Sequence, residues 1–167
     1  MILAVDVDYR DDQAVAAGIA FNDWEDAVPV SQFVAQTDQI AEYESGEFYK
    51  REMPILLMLL EQIPQLPEII IIDGYVYLDR HKKSGLGTHL YHALAGKVAI
   101  IGVAKSHFKD IPLEAAVLRN DSNRPLYVTA IGIDETEARG YIQKMHGNHR
   151  LPTMLKAVDR LCRDANP

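Results

Sequence analysis

The chain has 167 residues, 48% hydrophobic and 25% charged, with a formal net charge of −7. That length and apolar content suit one packed domain and exclude a disordered, fibrous or repetitive chain. Glu61, Pro64 and Pro67 interrupt the longest apolar region, so no stretch approaches the roughly 20 residues that cross a bilayer, and the acidic balance disfavours a simple nonspecific nucleic-acid binder.

In chain order, residues 2–8, 13–20 and 28–35 read as three antiparallel strands set between turn residues. Residues 36–47 are polar, and 53–63 have the apolar density of a buried helix whose first turn accommodates Pro54. Pro67 introduces Ile69, Ile70, Ile71 and Ile72, a run without alternation, as expected of a central strand covered on both faces. A helix over 84–94, strands over 98–103, 114–119 and 126–131, a helix over 134–145 and a last helix from Pro152 to about residue 164 complete the chain. This order predicts an α/β fold: a mixed sheet of five to six strands flanked by helices, with residues 1–167 forming a single domain.

Asp6 and Asp73 each follow an apolar strand run, and ligands of α/β sheets collect beyond the carboxyl ends of strands. Two such carboxylates brought together repel unless a proton or cation intervenes, and Mg²⁺, which takes a few carboxylates plus substrate phosphates, answers that need. Glu52 by itself reads as a helix N-terminal acid, Asp159 as a surface acid near Arg160 or Arg163, and Lys105 as a solvated lysine after a strand. The basic residues are gathered in Arg80-His81-Lys82-Lys83 and in Lys105 with Lys109, and a metal among clustered acids reverses the local sign. His81 and His89 could touch a metal or a base, but a lone helical histidine more often packs, and both are left out of the metal set. The single cysteine, Cys162, cannot form an internal disulfide, and Met1 to Asp6 lack a signal-peptide pattern, so the cytoplasm is expected.

Taken in order, these segments resemble the endonuclease V family of inosine-directed endonucleases, which have a ribonuclease H-like fold. Val5-Asp6-Val7-Asp8-Tyr9 resembles the family's opening strand, and Arg51-Glu52-Met53-Pro54 resembles its Arg-Glu-Ile-Pro segment. Ile70-Ile71-Ile72-Asp73-Gly74 matches the strand that bears the third acid, and Gly85-Leu86-Gly87-Thr88-His89-Leu90 resembles Gly-Leu-Ala-Ser-His-Leu. Ile101-Gly102-Val103-Ala104-Lys105-Ser106 is similar to the segment with the active-site lysine, and Asp159 falls where the family has an Asp or His near the metal. Two segments depart from the pattern: the strand-separating Tyr-Ile-Pro wedge here reads Tyr43-Glu44-Ser45, and the loop after Asp73 lacks Gly-x-Gly and His-Pro-Arg.

The resemblance implies a Mg²⁺-dependent endonuclease, with Mn²⁺ able to substitute, that cuts on the 3′ side of inosine in DNA or RNA. It implies Asp6, Glu52, Asp73 and Asp159 as metal ligands and, with Lys105, as the catalytic set. Tyr43, Gly46, Phe48, Gly74 and Arg80 would contact the substrate, and the protein is expected to act as a monomer. The alternatives are a metal-dependent nuclease without inosine preference and a catalytically silent nucleic-acid-binding module of the same fold.

Overall fold

The computed structural model describes residues 1–42, 44–45, 47–120 and 122–165. Its strands are β1 (Ile2–Arg10), β2 (Gln13–Phe21), β3 (Ser31–Thr37), β4 (Ile69–Asp73), β5 (Ala99–Ala104), β6 (Ala116–Val117) and β7 (Leu126–Ile131). The helices are α1 (Tyr49–Glu61), α2 (Leu86–Ala93), α3 (Glu135–Lys144) and α4 (Thr153–Asp164). One sheet runs in the order β3-β2-β1-β4-β5-β7-β6. The β1–β4 and β4–β5 pairs are parallel and the other pairs antiparallel, giving the mixed sheet flanked by helices that the pattern predicts.

The isoleucine run of β4 has no alternation because both of its faces are covered. Ile71 packs with Ile101, Val128 and the α3 and α4 residues Ile142, Leu155 and Val158. Ile70 and Ile72, pointing the other way, pack with Ile55 and Leu59 of α1 and Leu90 of α2. Each such isoleucine, buried to 2% exposure or less, contributes about 1.5–3 kcal/mol of apolar burial.

Three boundaries differ from the pattern-based expectation. Strand β3 starts at Ser31 rather than 28, because Asp23 and Asp26 cap a turn through side-chain bonds to backbone N–H groups and Pro29 has no N–H to donate. The stretch 114–119 is mostly not strand: a 3₁₀ turn occupies Leu113–Ala115, only Ala116–Val117 pair, and the chain then turns inward at Arg119. Even so, β6 makes the sheet seven-stranded rather than five- or six-stranded.

The third difference is α1, which begins at Tyr49 and so holds Pro54 in its interior instead of its first turn. Proline there removes a hydrogen bond to the Lys50 carbonyl. The extra turn is held by side chains instead: Lys50 pairs with Glu47 at 2.7 Å, and the Arg51 guanidinium lies 4.2 Å from the centroid of the Tyr9 ring. Glu52 therefore stands on the helix rather than before it.

Candidate active site

The centre of the site follows from strand register. Ile2, Leu3 and Ala4 pair with Ile69, Ile70 and Ile71, after which the β1–β4 pairing stops. Two residues further on each strand stand Asp6 and Asp73, so the same register sets them side by side and on one face, the face of Ala4 and Ile71. Asp6 is not a strand terminus: β1 runs on to Arg10 against β2, with Asp6 opposite Ala17, while β4 ends at Asp73 opposite Val103. The two carboxylates occupy the point where the central strands part.

That face is covered by α4. Carboxylate oxygens of Asp6 and Asp159 and the Cys162 Sγ lie within 4.8 Å of one another. Asp159 also pairs with Arg163 at 3.1 Å, so it keeps a surface partner while facing the buried acid. Arg10, at the far end of β1, donates to the carbonyls of Cys162 and Ala165, both at 2.6 Å, and to that of Arg163. A cation bonded to the last carbonyls of a helix satisfies its unpaired acceptors and complements its dipole, and here it ties the Asp159 helix to the Asp6 strand.

Glu52 arrives from the opposite side, on the first turn of α1. With Asp6 and Asp73 it lines a cavity of about 10 Å³ closed by Val5, Leu56, Ile72 and Leu86. A second cavity, of about 20 Å³, lies between Asp6, Asp73, Lys105 and the α4 residues Leu155 and Val158. Each has room for about one water-sized occupant.

The electrostatics record the crowding. Burial, then the charges of Asp73 and Asp159, push the Asp6 carboxyl up to about 7 against the opposing Val7 N–H. Burial followed by Asp73 and Asp6 pushes Glu52 up to about 8, with Arg51 opposing. Asp73, the most exposed of the three, is also raised by desolvation, and Lys105 is the main opposing charge. Near neutral pH these groups resist ionising together unless positive charge is added, and their oxygens suit a hard divalent cation. Cys162, although close, is a soft donor that a hard cation does not prefer, and its Sγ contacts the Asp159 carbonyl at 3.2 Å.

The backbone behind Asp73 is held closely. Gly74 has φ +122° and donates to the Val103 carbonyl at 3.0 Å, and the Val76 N–H donates to the Thr129 hydroxyl at 2.9 Å. This loop crosses over Gly102, where an added Cβ would stand 2.6 Å from the Gly74 carbonyl oxygen. Lys105, exposed at the end of β5, is fixed through its own carbonyl, which accepts from Arg150; the same guanidinium donates to Pro125 at 2.8 Å. Arg119, 1% exposed, donates to the carbonyls of Met145 and His149 at 2.6 and 2.5 Å and so braces the segment that leads into α4.

Beyond Asp73 opens a cleft of about 460 Å³ whose lining includes Phe48, Tyr49, Gly74, Tyr75, Leu86 and Phe108. Two of the residues expected to touch substrate, Phe48 and Gly74, are thus on its walls. Arg80 is exposed near the tip of a small hairpin closed by the Tyr77–Ser84 bridge and the bond from the Leu78 N–H to the Lys83 carbonyl, and it lines neither cavity nor cleft. Tyr43 and Gly46 lie outside the described residues. His89 stacks on Tyr49, ring centroids 3.5 Å apart, in keeping with a packing role.

The sequence reading of Asp159 as an acid near Arg160 or Arg163 holds for Arg163, whereas Arg10 is not singled out as a neighbour of this helix. Arg163 and Cys162 are legible because three and four residues after Asp159 is one helical turn; for Arg10 no such signal exists. Nor does the sequence identify Tyr75 and Phe108, which meet only through loop packing.

A family model described as endonuclease V matches residues 1–160 of the chain. The endonuclease V of Streptomyces avermitilis is 30% identical over an alignment covering 98% of this chain and 80% of that protein. Its crystal structure superposes with a TM-score of 0.78, at 28% identity, over 97% of this chain and 79% of that one. An endonuclease V from Ciona intestinalis, crystallised with a 24mer DNA containing an inosine followed by a ribo-adenosine, gives a TM-score of 0.80 over 97% of this chain and 83% of that one; at 19% identity it speaks for the fold alone.

Proposed function

The chain belongs to the endonuclease V family, and from that premise we propose that it is a Mg²⁺-dependent endonuclease hydrolysing the phosphodiester bond on the 3′ side of inosine in DNA or RNA. The observation that carries the reading is the register of β1 and β4, which sets Asp6 beside Asp73 where Glu52 and Asp159 converge from opposite faces of the sheet. Carboxylates kept together at the cost of raised proton affinity are a site waiting for a cation.

In this reading Asp6 and Asp73 hold Mg²⁺ or Mn²⁺ against the scissile phosphate, and Glu52 and Asp159 complete the ligand set. A cation held there would supply positive charge for the phosphoryl oxygens and an acidified water, and hydrolysis would leave 3′-hydroxyl and 5′-phosphate ends. Lys105 adds a positive charge beside the phosphate, held in place through its own backbone by Arg150. The cleft beyond Asp73 takes the flipped base: Gly74, without a side chain, lets a ring approach, and Phe48 flanks it, with Tyr43 and Gly46 as further contacts and Arg80 on the backbone. No helix among the described residues is long and apolar enough to cross a membrane, and we take the enzyme to work as a cytoplasmic monomer.

The deciding experiment is Mg²⁺-dependent cleavage of end-labelled single- and double-stranded DNA and RNA, with and without one inosine, by the native chain and by Asp73→Ala. Cutting beside inosine that the variant loses is the expected result. Equal cutting of inosine-free strands would move the assignment to a nuclease without base preference, and no cutting of any substrate would leave a nucleic-acid-binding module.

A further inference from the structure

The base cleft has a wall that its sequence motifs do not announce. Tyr75, two residues beyond Asp73, reaches with its hydroxyl into the loop after β5, donating to the Ser106 carbonyl at 2.6 Å and accepting from the Phe108 N–H at 3.1 Å. The Phe108 carbonyl accepts from the Ile111 N–H at 3.0 Å, so the Phe108 backbone is bonded through both of its polar groups. The next residue back, His107, is tied in as well, its Nε2 lying 2.9 Å from the Ile111 carbonyl. Yet the Phe108 ring, tilted 52° to that of Tyr75 with centroids 6.1 Å apart, remains 46% exposed and lines the cleft.

An aromatic ring carried on a pinned backbone and left half in water, in a cleft whose lining includes Asp73, offers the flat apolar face that stacking of an unpaired base uses. Of the other aromatics of the cleft, Tyr49 is committed to His89, and Phe48 is the flanking contact already named. Lys105 lies one residue before Ser106, so the same two hydroxyl bonds that set the ring also anchor the segment that follows the lysine.

Resting on the nuclease reading above, we infer that Phe108 is a base-stacking residue of this enzyme and that Tyr75 is a positioning residue, its hydroxyl latching the loop after β5 so that Phe108 forms a rigid wall of the cleft. The ligand class is an unstacked nucleobase in a single strand or a locally opened duplex. Because stacking needs only a π-face, Phe108 contributes affinity for the extruded base, and discrimination among bases falls to the other groups of the cleft.

The test uses the full chain and two measurements. In steady-state cleavage of an inosine-containing single strand, Phe108→Ala is expected to raise KM about tenfold with a smaller fall in kcat, while Phe108→Trp restores most of the affinity. Tyr75→Phe, which keeps the ring and removes the latch, is expected to raise KM by roughly half an order of magnitude. Separately, a single strand carrying one 2-aminopurine, titrated with protein in Ca²⁺, is expected to lose fluorescence on binding as the base stacks, and Phe108→Ala to abolish that loss. Native KM and native quenching in Phe108→Ala would overturn the inference even if cleavage remained Asp73-dependent. Phe108-dependent quenching by a chain that cuts nothing would uphold the wall and overturn the nuclease reading instead.

Discussion

Two half-buried acidic regions of this molecule handle their charge in opposite ways. At the start of α3, Glu135 accepts from the Tyr77 hydroxyl at 2.6 Å and pairs with Lys82 and Arg139, each at 2.8 Å; these partners hold its carboxyl below the usual range against the opposing effect of burial. Where β1 and β4 part, Asp6 and Glu52 meet mostly other acids, and their carboxyls stand at about 7 and about 8. The chain can neutralise a carboxylate with its own side chains and does so at Glu135. Leaving the second group unneutralised fits a centre whose missing charge is brought by a ligand.

The largest effect that would sharpen this contrast is on cleavage. Asp73→Ala or Asp6→Ala is expected to lower kcat by about 10³-fold or more, whereas Glu135→Gln leaves it within a few fold. Lys105→Ala, read by the same assay, is expected to cost about 10²-fold. Gly102→Ala forces a methyl against the Gly74 carbonyl, so a destabilisation of about 1–3 kcal/mol in denaturant unfolding is expected, together with reduced activity. Smaller again is Glu135→Gln, with an expected loss of about 1–2 kcal/mol in the same measurement.

The most delicate comparison is in pH. Asp6 and Glu52 are raised in the folded chain, so the native state keeps protons that the unfolded chain has released. Their contribution to stability is complete below about pH 4 and is lost as pH rises through about 7 to 8. Glu135 is lowered, and its contribution is lost on acidification instead. The Tm of protein in EDTA is therefore expected to fall between about pH 5 and pH 8.5, and Mg²⁺ to restore it most at the alkaline end. Asp6→Asn should flatten the slope and raise the metal-free Tm at pH 8; an unchanged slope would break the contrast.

Much of the architecture was readable because it depends on local pattern. The unbroken Ile69–Ile72 run announces a strand covered on both faces, and the strand–helix alternation announces a mixed α/β sheet. What failed to read were boundaries decided by distant partners: α1 runs a turn past the expected start because Arg51 lies over Tyr9, and the strand expected at 114–119 is cut short as Arg119 turns toward the carbonyls of 145–150. The convergence of the acids was legible only through the family resemblance, since spacing along the chain does not reveal that Asp6 and Asp73 share a register. Tyr75 and Phe108 left no motif at all, because their contact is a hydroxyl bridging two loops about thirty residues apart.

The register between β1 and β4 also bears on how this centre withstands divergence. The neighbourhood of Asp6 and Asp73 is written into a few backbone pairs, Ile2 with Ile69 through Ala4 with Ile71, and not into the segment between the strands. Insertions and deletions in the loops between β1 and β4 can therefore occur without separating the two acids. A one-residue slip of β1 would instead turn Asp6 to the opposite face of the sheet. A pairing of this kind leaves the loops around it free to change while the two acids stay neighbours.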